Sequence, residues 1–117
     1  MVVDDEKALT AMMSEYLSMH GAKVSAYDSP IQAWHEYKQH PERFDVVITD
    51  ETMPALSGMH LAQRMLKLQP DLPVILCSGY SEHVTPEQAV QQGLAAFFFK
   101  PIQLNLLLRK IHSVCHA

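Results

Sequence analysis

The chain has 117 residues, of which 48% are hydrophobic and 19% charged, with a formal charge of −4. That is enough material for one packed core but not two, and the balance is that of a folded chain rather than a disordered one. An acidic balance without a run of lysines and arginines argues against a nucleic-acid-binding surface. No apolar run approaches the roughly 20 residues needed to cross a membrane. No signal-peptide pattern opens the chain, so a cytoplasmic location is expected.

Apolar runs alternate with segments of helical period, the pattern of a parallel sheet covered by helices on both faces. Val2-Val3 reads as the end of a very short first strand. Residues 7–20 place Leu9, Met12, Met13, Tyr16 and Leu17 on one helical face, and Gly21 supplies the stop. Residues 22–27 alternate like a half-buried strand. Ser29-Pro30 is an N-cap followed by proline at the first helical position, opening a helix to about residue 40. Residues 44–49, FDVVIT, are β-branched and apolar, as a central buried strand requires.

From Gly58 to Leu68 the helical period returns, with Leu61, Met65 and Leu68 on one stripe. Residues 73–77 are a buried strand, and Thr85-Pro86-Glu87-Gln88 is a capping box closed downstream by Gly93. Residues 95–99 form a fifth strand. Residues 103–116 form a last helix with Leu104, Leu107, Leu108, Ile111 and Cys115 toward the core, while Leu106 falls outside that stripe. The count is (βα)₅ in a single domain, 1–117. Cys77 and Cys115 lie in apolar stretches without CxxC spacing and read as buried and reduced.

Ligands of an open parallel α/β sheet bind at the carboxyl ends of its strands. Polar residues collect there: Asp4-Asp5-Glu6 after strand one, Asp50 after strand three, Ser78-Gly79 after strand four, and Lys100-Pro101 after strand five. Clustered carboxylates repel one another, and a hard divalent cation with oxygen ligands, such as Mg²⁺, relieves that repulsion. A carboxylate beside such an ion and an ammonium stays ionised and can attack phosphorus, while metal and lysine neutralise the transferring phosphoryl oxygens. Taken singly, each residue has a plainer reading. An acid at a strand end is usually solvated, an acidic run suits a helix N-terminus, and a lysine before proline is ordinary surface. Their joint placement on successive strand ends favours the chemical reading.

These residues closely resemble the receiver domains of bacterial response regulators and hybrid histidine kinases. The likeness rests on VVDDE at 2–6, DVVITDETMPALSG at 45–58, PVILCSGY at 73–80 and FFFKPI at 97–102. It implies a flavodoxin-like doubly wound sheet in strand order 2-1-3-4-5. It also implies a module of two-component signalling that accepts a phosphoryl group from the phosphohistidine of a histidine kinase or phosphotransfer domain, catalysing only its own phosphorylation and dephosphorylation. Carried over by position, Asp50 resembles the phosphoacceptor. Asp5, Asp50 and the backbone carbonyl of Thr52 resemble the Mg²⁺ ligands, with Asp4 acting through water. Lys100 matches the phosphate-binding lysine, Ser78 the switch hydroxyl and Phe97 the switch aromatic. Pro101 matches a proline that usually follows a cis peptide bond. The face built from the fourth helix, fifth strand and fifth helix is the implied partner surface, toward an effector or other domains of a parent chain.

Phe97 replaces the commoner tyrosine and has no hydroxyl to bond. Gly79 stands where alanine is frequent and loosens the loop. The first strand begins almost at the acidic pair, as in a piece of a longer chain or one with a misassigned start. Residues 70–82 look more like receivers attached to hybrid sensor kinases. The resemblance also implies that Thr52 and Tyr80 flank the approach of a hydrolytic water; neither is an amide or carboxylate that would orient it, so slow phosphate loss compared with fast-cycling chemotaxis receivers is expected.

Seven histidines show no HxH or HExxH spacing, and the methionines Met12, Met13, Met59 and Met65 read as core filler rather than a binding surface. An aspartate-nucleophile phosphatase of the haloacid dehalogenase type uses similar groups. It needs a DxD pair, and the residue two after Asp50 is Thr52. A phosphate-independent pseudo-receiver conflicts with the full set of acids, Ser78 and Lys100.

Overall fold

The computed structural model describes residues 1–79 and 84–115. Five strands, β1 (Val2–Val3), β2 (Ala26–Tyr27), β3 (Val47–Asp50), β4 (Val74–Ser78) and β5 (Ala96–Phe99), alternate with five helices. These are α1 (Lys7–Met19), α2 (Pro30–Gln39), α3 (Gly58–Leu68), α4 (Pro86–Gln91) and α5 (Leu104–Cys115), with a 3₁₀ turn at Pro41–Arg43. All strands pair in parallel in the order β2-β1-β3-β4-β5, the flavodoxin-like arrangement that the resemblance implies.

Because side chains alternate across a strand, the central strands split into two half-cores. Val2, Ile48, Ile75 and Cys77 face one way and pack with Met13, Leu17 and Leu107 of α1 and α5. Val3, Val47, Val74 and Leu76 face the other way and pack with Ala33, Tyr37, Leu61, Ala62, Met65 and Ala89 of α2, α3 and α4. The Tyr37 hydroxyl donates to Gln69 Oε1, which satisfies a polar atom inside that second half-core. Trp34 sits at its edge, with the Lys38 ammonium 5.9 Å and the Arg64 guanidinium 6.0 Å from its ring centre.

The helix signals are present as chemistry. Ser29 Oγ accepts the Gln32 N–H, and in a capping box the Thr85 hydroxyl accepts the Gln88 backbone N–H while Gln88 Oε1 accepts the Thr85 backbone N–H. Gly21 and Gly93 end their helices at φ 93° and 88°, left-handed values that favour glycine.

Several expectations need correction. β2 covers only Ala26–Tyr27 rather than 22–27, because its partner β1 offers just Val2 and Val3. β3 begins at Val47, since Phe44 ends the 3₁₀ turn, and it includes Asp50. β4 likewise runs one residue further, through Ser78. Met12 is 48% exposed and Thr10 takes the inward position, its hydroxyl bonding the Lys7 carbonyl. On α3, Leu68 is exposed and Ala62 is buried. Cys77 is buried, with its thiol pushed up to about 12 by burial, but Cys115 is exposed. Leu106 is 41% exposed, as its place outside the stripe requires.

Ile75 lies at the centre of the α1/α5 half-core with no exposure. Ile75→Ala is expected to cost about 2–5 kcal/mol through lost burial plus the cavity it leaves, measured as a lower midpoint in urea with an unchanged slope.

Candidate functional site

Parallel strands end on one edge, so the residues after β1 and β5 and the last residue of β3 meet there. One carboxylate oxygen each from Asp4, Asp5 and Asp50 lies within 4.8 Å of the others. Asp4 and Asp50 are buried and Asp5 is exposed. Lys100 Nζ lies 2.8 Å from Asp50 Oδ1 and 3.4 Å from Asp4 Oδ2. Asp4 Oδ1 accepts the Glu6 N–H at 2.9 Å. Glu6 itself is exposed at the start of α1 and stands outside the cluster.

Burial pushes the Asp4 carboxyl above its ordinary pKa, against the opposing pull of the Glu6 N–H and the Lys100 charge. For Lys100, burial alone favours the neutral amine. The hydrogen bond and charge of Asp50, with Asp4 behind, outweigh it and hold the ammonium above its usual range. Lys100 is therefore charged at any physiological pH.

Ser78 closes β4 beside the cluster, fully buried, with its hydroxyl donating a long 3.4 Å bond to the Gly79 carbonyl. The backbone carbonyl of Ser78 accepts the Lys100 N–H at 2.9 Å, which ties the lysine loop to β4. The Lys100–Pro101 peptide is cis. Phe97 is half-buried on β5 and packs edge-on to Phe99, ring centres 5.0 Å apart. Thr52 is exposed in the loop after β3. Tyr80 lies outside the described residues, as do His83 and His116. Among the described residues, no histidine joins a group placed to hold an ion.

Two residues matter here that sequence reasoning passed over. A methyl group on Gly58 would come within 2.1 Å of the Asp50 carbonyl oxygen and 2.8 Å of a Leu76 methyl, so no other side chain lets α3 approach β3 this closely. Glu51 spends its carboxylate on α3, Oε1 accepting the Met59 N–H at 2.8 Å. An acid beside Asp50 was the available signal for Glu51. Gly58 read only as the start of a helix.

A doubly wound parallel sheet with three carboxylates and an ammonium on its carboxyl edge has the architecture of a phosphoacceptor signalling domain. The family model described as the response regulator receiver domain matches residues 1–112. The chain is 32% identical over 108 residues to the C4-dicarboxylate transport transcriptional regulatory protein DctD of Rhizobium meliloti, a match covering 92% of this chain and 23% of that one. It is 28% identical over 114 residues to the chemotaxis protein CheY of Bacillus subtilis, covering 97% of this chain and 93% of that one. A receiver domain structure from Clostridium thermocellum superposes with a TM-score of 0.93 at 27% identity, covering 98% of this chain and 91% of that one. The chain belongs to the response regulator receiver domain family of two-component signalling. It spans about a quarter of the length of the transcriptional regulators it matches.

Among the described residues, no helix is long and apolar enough to cross a membrane.

Asp4 supplies a pH test. Its carboxyl is raised on folding, so its favourable contribution is complete at acid pH, where it is protonated in both states, and fades as pH rises through the folded value. Asp4→Asn is expected to raise the metal-free melting temperature near pH 7.5 and to leave it nearly unchanged near pH 3.5. Thermal unfolding of both proteins at the two pH values checks this.

Proposed function

We propose that Asp50 is the phosphoacceptor and that Asp4, Asp5 and Asp50 hold Mg²⁺, Asp4 through water and the Thr52 carbonyl completing the protein ligands. The observation that carries this reading is the convergence of three carboxylate oxygens within 4.8 Å, with a lysine ammonium 2.8 Å from Asp50. An all-oxygen donor set fits a hard divalent ion and suits no soft one. Bound there, the ion offsets the repulsion among the carboxylates and neutralises phosphoryl charge.

The chain's own groups do the rest. A carboxylate oxygen of Asp50 attacks the phosphorus of a phosphohistidine. The P–N bond breaks as the O–P bond forms, and the imidazole leaves with the electron pair and takes a proton. Lys100, kept charged by its two aspartates, meets the phosphoryl oxygens as they arrive. This exchanges part of its bond to Asp50 for one to the phosphate. A phosphoryl oxygen offers the Ser78 hydroxyl a charged acceptor, stronger than the carbonyl of Gly79. That difference in affinity is what a phosphoryl group needs to shift the domain between two states. Phe97 turns with it, and the α4–β5–α5 face passes the change to an effector or to other domains of a parent chain.

Asp50→Asn is expected to abolish labelling by acetyl phosphate with Mg²⁺ and to keep the far-UV circular dichroism of the wild type. Normal labelling of the variant would remove Asp50 from its role. Ser78→Ala is expected to label yet respond poorly. With beryllofluoride and Mg²⁺, the resonances around Phe97 should shift in the wild type and by less in the variant, a lost hydrogen bond of about 1 kcal/mol lowering the switching equilibrium about fivefold. Equal shifts in both would break the proposed coupling.

A further inference from the structure

Glu51 follows Asp50 directly, yet its carboxylate is not part of the acidic cluster. It points instead into the start of α3. Oε1 accepts the Met59 N–H at 2.8 Å, and the backbone carbonyl of the same residue accepts the Gly58 N–H at 2.9 Å. Gly58 and Met59 open α3, and the first N–H groups of a helix have no partner within it. A carboxylate there is also favoured by the helix dipole. One residue thus grips the helix twice and closes residues 52–57 into a loop anchored at both ends.

That loop carries Thr52. It also carries Ala55 at φ 73°, a left-handed value unusual for alanine, while Met53 and Leu56 are pressed into the core. Its course is therefore set by packing beneath and by closure at its ends. Asp50 belongs to a paired strand, and Asp4 is bonded to the Glu6 N–H and to Lys100. A ligand on the loop after Asp50 is held only through that loop, by the packing of Met53 and Leu56 and by the closure at its ends.

We propose that Glu51 is a positioning residue for the metal site, its carboxylate anchoring the loop so that the Thr52 carbonyl stands where the ion requires it. This rests on the reading of the site given above. Mg²⁺ demands near-ideal octahedral geometry at short distances. A loop released from α3 must be ordered again when the ion binds, at a cost in conformational entropy. The effect therefore falls on metal affinity and not on phosphoryl transfer once metal saturates. The inference needs the bond from Met59 rather than the negative charge, and the two can be separated.

Calorimetric titration of Mg²⁺ into the full chain, with acetyl-phosphate labelling at low and saturating Mg²⁺, tests it. Glu51→Ala is expected to bind Mg²⁺ about tenfold more weakly, the scale of one charge-assisted hydrogen bond, and to label within about twofold of wild type at saturation. Glu51→Gln keeps an acceptor oxygen at the same reach and should stay within about threefold of wild type. Glu51→Asp keeps the charge on a shorter stem and should bind as weakly as Glu51→Ala, so the comparison stands even if the alanine variant folds poorly. Wild-type Mg²⁺ affinity in Glu51→Ala and Glu51→Asp, with only a lower melting temperature, would overturn the proposal and leave Glu51 a helix cap. Equal weakness of Glu51→Gln and Glu51→Ala would assign the effect to charge and overturn it too. A wild type that takes neither Mg²⁺ nor phosphate would remove the underlying reading with it.

Discussion

Three clustered carboxylates, two of them paired with one ammonium, are the constraint on which the rest of this molecule turns. Lys100 reaches Asp50 and Asp4, while Asp5 stands at the same point exposed to solvent. Two of the acids are buried, so the surplus negative charge is only partly relieved by water. The fold is what makes such a concentration possible. Three separate strands are held parallel by their ladders, and each delivers its terminal or following residue to the same edge whatever the local repulsion. Hydrophobic burial on both faces of the sheet stabilises the frame. At about 1.5–3 kcal/mol for each fully buried aliphatic side chain, it outweighs a strained cluster at the rim. The proposed cation and phosphoryl group would each change that count of charges.

Most of the frame was legible because its signals are local. Caps at Ser29 and Thr85, the glycines at 21 and 93, and β-branched runs act over a few residues, and each appears in the structure in its expected role. The errors cluster where an element outruns its neighbours. Leu68 in the last turn of α3 meets solvent although its spacing is right. Cys115 at the end of α5 fails in the same way. Burial of a helix face depends on what lies opposite, which periodicity does not encode.

The acids and lysine of the site were readable as strand-end residues, and the family resemblance added the separate roles proposed for them. Glu51 and Gly58 were not readable. Both act across the loop after β3, whose path includes a left-handed alanine that no turn residue announces. Glu51 looks like one more acid near Asp50 until the helix it grips is placed. Gly58 matters for the space above the Asp50 carbonyl, a distance that exists only once α3 is packed against β3.

The surroundings of Trp34 decide what an optical experiment on this chain can see. It is the only tryptophan, and it lies on α2 between a lysine of its own helix and Arg64 of α3. Indole emission is sensitive to nearby charge, so its intensity reads the distance between those two helices. Phe97 packs against the same half-core as Trp34, but from β5 at the far edge of the sheet, and α5 lies on the other face. A rearrangement confined to β5 and α5 leaves the two charges beside Trp34 where they are. Any change in emission on loading the rim would mean that α3 has shifted against α2, and hence that the disturbance has travelled through the loop joining Asp50 to that helix.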